Sequence, residues 1–366
     1  MRPTSSRKTP EGEAIFSWDL AALTAALAAV RVRDIAARAG VSPATVSNAL
    51  NGRPGVSDEN TRLIHQLAEE IGYLSSKALK SAEKSYVRLV ILKRHGLVVM
   101  DTQFFMELIE AIERECQREG LELLITHLQI GLDADCSERI RTICMEECAG
   151  ILLLSTEIYP EDLALFDPCV SPLLALDNLF RHEKVHSVVM NNYEAGYSAT
   201  HALYAAGHRN IGHITSKVTF SNMRYRRKGY EAAMAENGLA FTEDSFWRVT
   251  PTLEGAYQDM CGLLNQNRPL PTAFFAGNDI IAVGCMRAFS EHGIQVPKDV
   301  SLIGMDDISI CQFCRPALST VRVFRREMGV AAVRTLLHLA AAGDCYLKTE
   351  LSVALVERES VAAPRE

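Results

Sequence analysis

Residues 31–52 read RVRDIAARAGVSPATVSNALNG, two short alanine-rich runs that meet at AGVS. A short helix is expected before Gly40, which permits a sharp turn. Ser42 followed by Pro43 is a typical helix start, because Ser caps the free N–H groups and Pro fits the first helical position. The stretch therefore predicts two short helices joined by a tight turn.

The second of these helices has one face suited to meeting DNA. Val46 and Leu50 repeat at i, i+4 and are predicted to face a small core, which leaves Ala44, Ser47 and Asn48 outward. Short polar side chains there can approach base edges in a major groove about 12 Å wide, and Asn can pair with adenine through two hydrogen bonds. The alternative is a small helical bundle without a ligand, in which Ser47 is a solvated helix residue.

A third helix completes this unit. Ser57 is a second helix cap, and Leu63, Leu67 and Ile71 repeat at helical spacing behind it. Three helices this short bury only a small core. We therefore expect an independent all-α head of limited stability.

Composition and charge narrow the class of protein. The 366-residue chain is 48% hydrophobic and 23% charged, and its net charge of −7 excludes a uniformly basic nucleic-acid coat. Residues 31–85 nevertheless carry eight Lys and Arg side chains against six Asp and Glu side chains. A mildly basic head on an acidic body favours a specific DNA-binding module.

Other features of the sequence bear on location. No apolar run approaches the roughly 18 residues of a membrane span. The alanine-rich apolar stretch at 20–30 directly follows Asp19, whereas a secretory signal has basic residues directly before such a stretch and a cleavage site after it. The ten cysteines show no spacing framework. We therefore expect a cytoplasmic protein with reduced thiols and no membrane partner, in which residues 1–30 form an extension without stable structure.

Beyond a polar stretch at 75–85, apolar strand-like runs alternate with amphipathic helices. The first set is VRLVIL (87–92), FFMELIEAIEREC (104–116), LELLIT (121–126) and ILLLS (151–155). The second set is HSVVM (186–190), YEAGYSATHALYAAG (193–207), NIGHIT (210–215), RRKGYEAAMAENG (226–238), TAFFAG (272–277), DIIAVGCMRAFSEHG (279–293) and VSLIGM (300–305). This alternation predicts parallel sheets with right-handed crossovers, and there are enough units for two lobes.

The full pattern of the head is far more specific than AGVS alone. It reads D-I-A-x-x-A-G-V-S-x-x-T-V-S-x-x-L-N-G, followed by V-S-x-x-x-T-R and I-G-Y, over residues 34–73. This pattern closely resembles the DNA-binding head of LacI/GalR-type bacterial transcription regulators. The resemblance continues in MNNYEAGYSATHALYAAGHRNIGHI, AFFAGNDIIAVG, VPKDVSLIGMDD and PALSTVRVFRREMG, so that it covers residues 31–357.

The resemblance implies a helix-turn-helix head and an α/β core of two lobes built on parallel sheets, like the periplasmic binding proteins. It also implies a homodimer on a pseudo-palindromic double-stranded operator, with a small effector, expected to be a carbohydrate, between the lobes. The expected divisions are an extension at 1–30, the head at 31–74, a hinge linker at 75–85 and an effector-binding and dimerisation core at 86–366. Within the core, the N-lobe is expected at about 86–190 and 321–345, and the C-lobe at about 191–320 and 346–360.

The resemblance also assigns residues that face DNA. Those expected at the DNA, or supporting the contact, are Ser42, Pro43, Ala44, Thr45, Ser47, Asn48, Asn51, Ser57 and Tyr73. Many relatives carry Arg at the position of Asn48, so the preferred bases are expected to differ. The hydroxyls of Thr45 and Ser47 suit phosphate contacts, which position a protein without specifying sequence.

The linker departs from the family pattern Y-x-P-N-x-x-A-x-x-L, a hinge helix whose Leu wedges into the minor groove. The hinge positions here are Ser76, Leu79 and Ala82, which replace the Asn, the Ala and the wedge Leu of that pattern. Leu79 lies one helical turn before the wedge position on the same face. The sequence therefore leaves two alternatives open: Leu79 acts as a shifted wedge, or the linker is merely flexible.

Motif positions in the body indicate an effector pocket. The residues expected to contact the effector are Phe104, Phe105, Arg226, Asn278 and Asp306. Arg226 offers a fork of donors, Asp306 accepts from sugar hydroxyls, and the Phe rings offer a stacking surface. One of the two Phe side chains is expected to serve the core instead, and Asp177 is a weaker candidate.

Other chemistry has little support in the sequence. Cys311 and Cys314 form a C-x-x-C without the second pair that zinc needs and without a thioredoxin-like context, so no cofactor is expected. Asp279 and Asp307 are expected to cap helices. The sequence predicts a DNA-binding transcription regulator, expected to be a repressor under the control of a small metabolite, with no catalysis. The alternative is a sugar-binding protein or a sugar-acting enzyme with the same two-lobed fold.

Overall fold

The computed structural model describes residues 32–50, 56–70, 86–99, 103–266, 268–339 and 345–365. The chain divides into two units between residues 84 and 85. Several of the predicted positions lie outside the described residues, namely the extension at 1–30 and Asn51, Tyr73, Ser76, Leu79 and Ala82.

The described part of the first unit, the head, is helical: α1 is Val32–Ala39, α2 is Pro43–Leu50 and α3 is Asp58–Glu70. These helices bury the side chains of Ile35, Ala36, Val46, Ala49, Ile64 and Ala68. Val46 and Leu50 pack into this core as predicted, but Leu63 is 41% exposed. The predicted stripe on α3 is wrong at Leu63 because α3 turns Ile64 and Ala68, which are also four residues apart, toward the other helices.

The second unit, the body, contains two sheets. Its strands are β1 Tyr86–Lys93, β2 Glu122–Gln129, β3 Gly150–Leu154, β4 Leu173–Leu176, β5 His186–Met190, β6 Ile211–Ser216, β7 Phe246–Val249, β8 Ala273–Ala276, β9 Ser301–Asp306, β10 Ser319–Val323, β11 Lys348–Leu351 and β12 Val353–Val356. The sheet orders are β11-β5-β4-β3-β1-β2 in the N-lobe and β12-β10-β9-β8-β6-β7 in the C-lobe. The strand pairs are parallel except for β10 with β12. The prediction of a two-lobed α/β core with parallel sheets is confirmed.

Helices cover these sheets. They are α4 Gln103–Arg118, α5 Cys136–Met145, α6 Asn192–Ala205, α7 Ser221–Glu236, α8 Leu253–Leu264, α9 Asp279–Glu291, α10 Ile310–Phe313 and α11 Arg325–His338, with 3₁₀ turns at Pro160–Phe166 and Glu243–Ser245. Among the helices in the described ranges, none is both long and apolar enough to cross a membrane.

The lobe boundaries predicted near the C-terminus are wrong in two places. β10 pairs with β9 and β12, so residues 321–323 belong to the C-lobe sheet. β11 pairs with β5, so residues 348–351 belong to the N-lobe sheet. Both strands are short. β11 pairs with β5, far earlier in the sequence, although the next strand, β12, joins the other sheet, so local patterning does not reveal which sheet receives β11.

The expectation of reduced thiols is wrong at one pair. Cys144 near the end of α5 and Cys169 form a disulfide. The two segments lie side by side, because the N–H of Val170 donates to the carbonyl of Cys144 at 2.9 Å. Cys311 and Cys314 of the C-x-x-C are free.

Candidate functional site

The turn between α1 and α2 has the geometry that its sequence predicts. Gly40 adopts a φ of +65°, a conformation that favours glycine. The hydroxyl of Ser42 accepts the N–H of Thr45 at 3.1 Å, which caps α2, and lies 2.8 Å from the hydroxyl of Thr45. The start of α2 is therefore held by a cap at the end of a tight turn.

The described members of the predicted DNA-facing set are exposed or partly exposed. Ser42, Pro43 and Ala44 are exposed, and Thr45, Ser47 and Asn48 are partly exposed. Ser57 is also exposed, and its hydroxyl caps α3 by accepting the N–H of Asn60 at 3.3 Å. The contact of these residues with DNA stays a prediction.

A cavity of about 190 Å³ lies between the two lobes of the body. All five predicted effector residues line it, and so does Asp177. The other lining residues are Leu97, Val98, Thr156, Met190, Phe220, Asn222, Pro251, Thr252, Leu253, Ile280 and Ile308. The structure therefore brings the predicted set together from both lobes, while contact with an effector stays a prediction.

One wall of the cavity is aromatic. The rings of Phe104 and Phe105 at the start of α4 meet edge to face, with centroids 4.9 Å apart and an interplanar angle of 84°. Both side chains also pack in the hydrophobic core. The expectation that only one of the two rings packs in the core is therefore wrong, because each ring contacts the core and also lines the cavity.

Arg226 on α7 is buried, and the protein itself binds much of its guanidinium. Its Nε donates to Oδ1 of Asn192 at 2.8 Å, and its Nη1 donates to the carbonyl of Gly277 at 2.5 Å. Its Nη2 lies 3.6 Å from Sδ of Met190. Burial lowers the pKa of Arg226, against the opposite effect of the carboxylates of Asp306, Asp177 and Asp279. Arg226 therefore organises the C-lobe side of the cavity and supplies its positive charge.

The acidic groups of the cavity occupy matching places in the two lobes. Asp177 follows β4 and Asp306 ends β9, with φ values of +61° and +117°. Such backbone conformations are costly for residues other than glycine and concentrate at functional sites. Burial raises the pKa of each carboxyl to about 6.

Hydrogen bonds tie one of these carboxylates to both lobes. Asp177 accepts from the hydroxyl of Thr156 at 2.6 Å, and Nδ2 of Asn222 donates to its Oδ1 and its carbonyl, each at 3.1 Å. Oδ1 of Asn222 is buried without a hydrogen-bond partner in the described structure. The polar end of the cavity is therefore rich in acceptors.

In the turn after β8, the residue that caps the next helix is Asn278, whereas the sequence predicted Asp279. Oδ1 of Asn278 accepts the N–H of Ile281 at 2.9 Å and caps α9, the task expected of Asp279. Asp279 is wholly buried and accepts from the hydroxyl of Thr320 at 2.6 Å and from the N–H of Ile308 at 3.1 Å. It therefore fixes the loop that carries Asp306 instead of capping a helix.

Asp307, the other carboxylate expected to cap a helix, also has a different task. It forms ion pairs with Arg322 and Arg358 at 2.7 and 2.5 Å. The expectation of a cap is wrong there as well, because the carboxylate is bound by Arg322 of β10 and by Arg358, which follows β12.

Other bonds cross between the lobes near the cavity. The hydroxyl of Tyr159 donates to the carbonyl of Thr219 at 3.0 Å. Arg325 at the start of α11 donates to Oε2 of Glu107 at 2.9 Å and to the carbonyl of Asp307 at 3.3 Å. These bonds define one relative pose of the lobes, and a ligand that moves the lobes must exchange them.

Sequence reasoning missed several lining residues. Asn222 stands four residues before Arg226, so helical spacing was an available signal for it. Thr156 follows a strand, which was a weaker signal. Leu97 and Val98 belong to an irregular loop whose local sequence carries no ligand signal.

Comparison with known proteins covers both units. The family described as "Bacterial regulatory proteins, lacI family" matches residues 31–76, and the "Periplasmic binding protein-like domain" matches residues 200–361. The ribose operon repressor of Haemophilus influenzae is 32% identical over 336 residues, 90% of this chain and 98% of that protein. The HTH-type transcriptional repressor PurR of Pasteurella multocida is 30% identical over 308 residues, 83% of this chain and 90% of that protein. The structure of a Lac repressor dimer bound to operator and an anti-inducer is similar with a TM-score of 0.68 at 22% identity, covering 91% of this chain and 99% of that chain.

Proposed function

This chain belongs to the LacI family of bacterial regulatory proteins, and from that premise we propose that its head binds a pseudo-palindromic operator under the control of a neutral, polyhydroxylated effector in the interlobe cavity. The protein is a DNA-binding transcription regulator of that family and not an enzyme. The observation that carries the effector proposal is the acceptor-rich polar end of a cavity whose remaining walls are largely apolar. We place the protein in the cytoplasm, where its operator would be accessible.

The chemistry of the cavity favours a ligand that donates hydrogen bonds and has no negative charge. Asp177, Asp306 and Oδ1 of Asn222 are acceptors, whereas Arg226 has already committed two donors to protein atoms. Sugar hydroxyls would satisfy these acceptors, and an apolar ring face would pack on Phe104 and its neighbours. A phosphorylated or carboxylated ligand would bring an anion against two carboxylates, which costs binding energy.

In the sequence, a single strand connects a wall of the cavity to the linker. β1 begins at Tyr86, one residue after the linker at 75–85, and it ends at the loop that carries Leu97 and Val98 into the cavity. A ligand that presses on this loop therefore acts on the strand that leads back to the linker. Operator and effector would then bias the same lobe pose and be reciprocally coupled.

A homodimer is part of this proposal. Large apolar side chains remain exposed on the edge strand β2, on α4 and on α10: Leu124 is 43%, Met106 63% and Phe313 76% exposed. Exposed apolar surface and an unpaired strand edge favour association with another chain. Two heads on a symmetric dimer would match the two half-sites of a palindromic operator.

Calorimetric titration of the full chain with D-ribose and D-ribose 5-phosphate tests the effector proposal, since a ribose operon repressor is among the relatives. We expect D-ribose, or another neutral sugar of a matched panel, to bind at least tenfold more tightly than its phosphorylated counterpart. Tighter binding of the phosphorylated member would contradict the proposed chemistry of the cavity.

Selection of chromosomal fragments by the full chain tests the operator proposal. The recovered fragments are expected to share a site with two-fold sequence symmetry. Recovery of DNA without any shared symmetric site would contradict this part of the proposal.

A further inference from the structure

The loop that follows β1 is folded around a single carboxylate from another segment. The side chain is that of Glu157, which is 1% exposed. Its Oε2 accepts the N–H groups of Arg94, His95 and Gly96 at 2.9, 3.0 and 2.9 Å, and its Oε1 accepts those of Val98 and Val99 at 2.9 and 3.0 Å. The remaining N–H group of this run, that of Leu97, donates to Nδ1 of His95 at 3.1 Å. Every backbone N–H from residue 94 to residue 99 therefore has an acceptor.

The arrangement is specific for an ionised carboxylate. Burial alone would raise the pKa of Glu157, but the N–H bonds from the loop outweigh burial and hold the pKa below its usual value. A buried charge is stable only when such bonds replace its lost hydration. Gly96 has a φ of +67°, which lets successive N–H groups turn toward one anion. Nδ1 of His95 lies 3.3 Å from Oε1 but accepts from Leu97, so in this arrangement it acts as an acceptor.

This loop is a wall of the effector cavity, although Glu157 does not line the cavity itself. Leu97 and Val98 are lining residues, and Thr156, the neighbour of Glu157, lines the cavity and donates to Asp177. Two consecutive residues thus have different roles at the cavity: Thr156 lines it, and Glu157 binds the loop that carries the lining residues Leu97 and Val98.

We propose that Glu157 is a positioning residue of the effector site, whose carboxylate folds residues 94–99 into the wall that places Leu97 and Val98 against the ligand. The proposal rests on the proposed function only in that the cavity receives an effector. The folding of the loop does not depend on the identity of that ligand.

Hydrogen exchange of the full chain carrying Glu157→Gln tests the proposal without a ligand. The amide group keeps the size of the side chain but has one acceptor oxygen, so either the three N–H groups at Oε2 or the two at Oε1 must face an NH₂ donor. We expect the amides of residues 94–99 to exchange at least tenfold faster, while those of β8 in the C-lobe are unchanged. The matched control is Glu161→Gln, an exposed acid four residues further on, which should leave exchange in the loop unchanged.

Sugar affinity supplies a second measurement. The Kd for D-ribose should rise about tenfold in the Glu157→Gln variant and stay unchanged in the Glu161→Gln variant. If the glutamine variant does not fold, Glu157→Asp replaces it: the charge is kept but the side chain is one methylene shorter, so protection should fall at one end of the loop only.

Wild-type exchange rates at residues 94–99 in a folded Glu157 variant would overturn the proposal, and so would faster exchange with unchanged sugar affinity. Loss of protection in the loop supports the proposal even if the wild-type protein binds no D-ribose. That last result would exclude D-ribose as the effector and would leave the role of Glu157 in folding the loop intact.

Discussion

The head and the effector cavity present their functional side chains in opposite ways. In the head, the DNA-facing candidates on α2 and its cap Ser42 lie within residues 42–48 and are exposed or partly exposed. In the cavity, the lining residues come from segments between residues 97 and 308, and the polar ones such as Asp177, Arg226 and Asp306 are almost fully buried. Substitutions in the head should therefore change DNA affinity at little cost in stability, whereas substitutions in the cavity should change stability and ligand affinity together.

The largest expected effect is that of Arg226→Ala. The substitution leaves the carbonyl of Gly277 and Oδ1 of Asn192 without a donor and two cavity carboxylates without their cation. Loss of one partner from a buried charged network typically costs about 3–5 kcal/mol. We expect the free energy of unfolding of the body to fall by that amount, as measured by urea denaturation.

The matched control is Arg224→Ala, on the same helix but exposed, which should change stability by less than about 0.5 kcal/mol. Equal stability of the two variants would show that Arg226 has no role in holding the C-lobe side of the cavity together.

The next effect separates ligand binding from DNA binding. Asp306→Asn removes a charged acceptor, and hydrogen bonds to charged groups contribute about 1.5–3 kcal/mol. We expect the affinity for a neutral sugar to fall at least tenfold in calorimetric titration, while operator affinity without sugar stays unchanged. A fall in the operator affinity of the sugar-free protein would contradict the claim that Asp306 acts on ligand binding and not on DNA binding.

The reciprocal substitution is Asn48→Ala in the head. A side chain that pairs with a base through two hydrogen bonds typically contributes about 1–3 kcal/mol of discrimination, so operator affinity should fall roughly tenfold. Sugar affinity should not change. Asn60→Ala on α3 is the control, and a loss as large as that of Asn48→Ala would contradict the assignment of α2 as the reading helix.

The smallest expected effect concerns the cap of α2. Ser42→Ala removes the acceptor of the N–H of Thr45, which should lower the stability of the head by about 1 kcal/mol. Calorimetry of the full chain would detect this as a shift of the transition of the head alone. A shift of the transition of the body instead would contradict the independence of the two units.

How much could be predicted from the sequence differs between the two regions for a physical reason. A cap, a turn glycine and helical spacing act over a few residues, so the turn at Gly40, the cap at Ser42 and the inward Val46 follow from local chemistry. Motif positions also located Phe104, Phe105, Arg226, Asn278 and Asp306 at one cavity. The face that α3 turns toward its neighbours depends on packing, and Leu63 was placed wrongly for that reason.

What could not be predicted depends on contacts between distant segments. The strand β11 pairs with β5, far earlier in the sequence, whereas β12, which comes directly after β11, joins the other sheet. Asp279 accepts hydrogen bonds from Thr320 and Ile308. Glu157 accepts them from a loop about 60 residues earlier in the chain. No spacing rule connects such partners, so a carboxylate that holds a distant loop is indistinguishable in sequence from a helix cap or a solvated acid.

The most direct test of the account is the affinity of the full chain for a symmetric duplex recovered from chromosomal fragments, compared with a scrambled duplex at the same fixed salt concentration. The account predicts a preference of about 1,000-fold or more for the symmetric duplex, since specific sites typically exceed non-specific DNA by at least that factor. It also predicts that a sugar bound in the cavity changes this preference and that Asn48→Ala reduces it. Equal affinity for both duplexes, with and without sugar, would contradict the account.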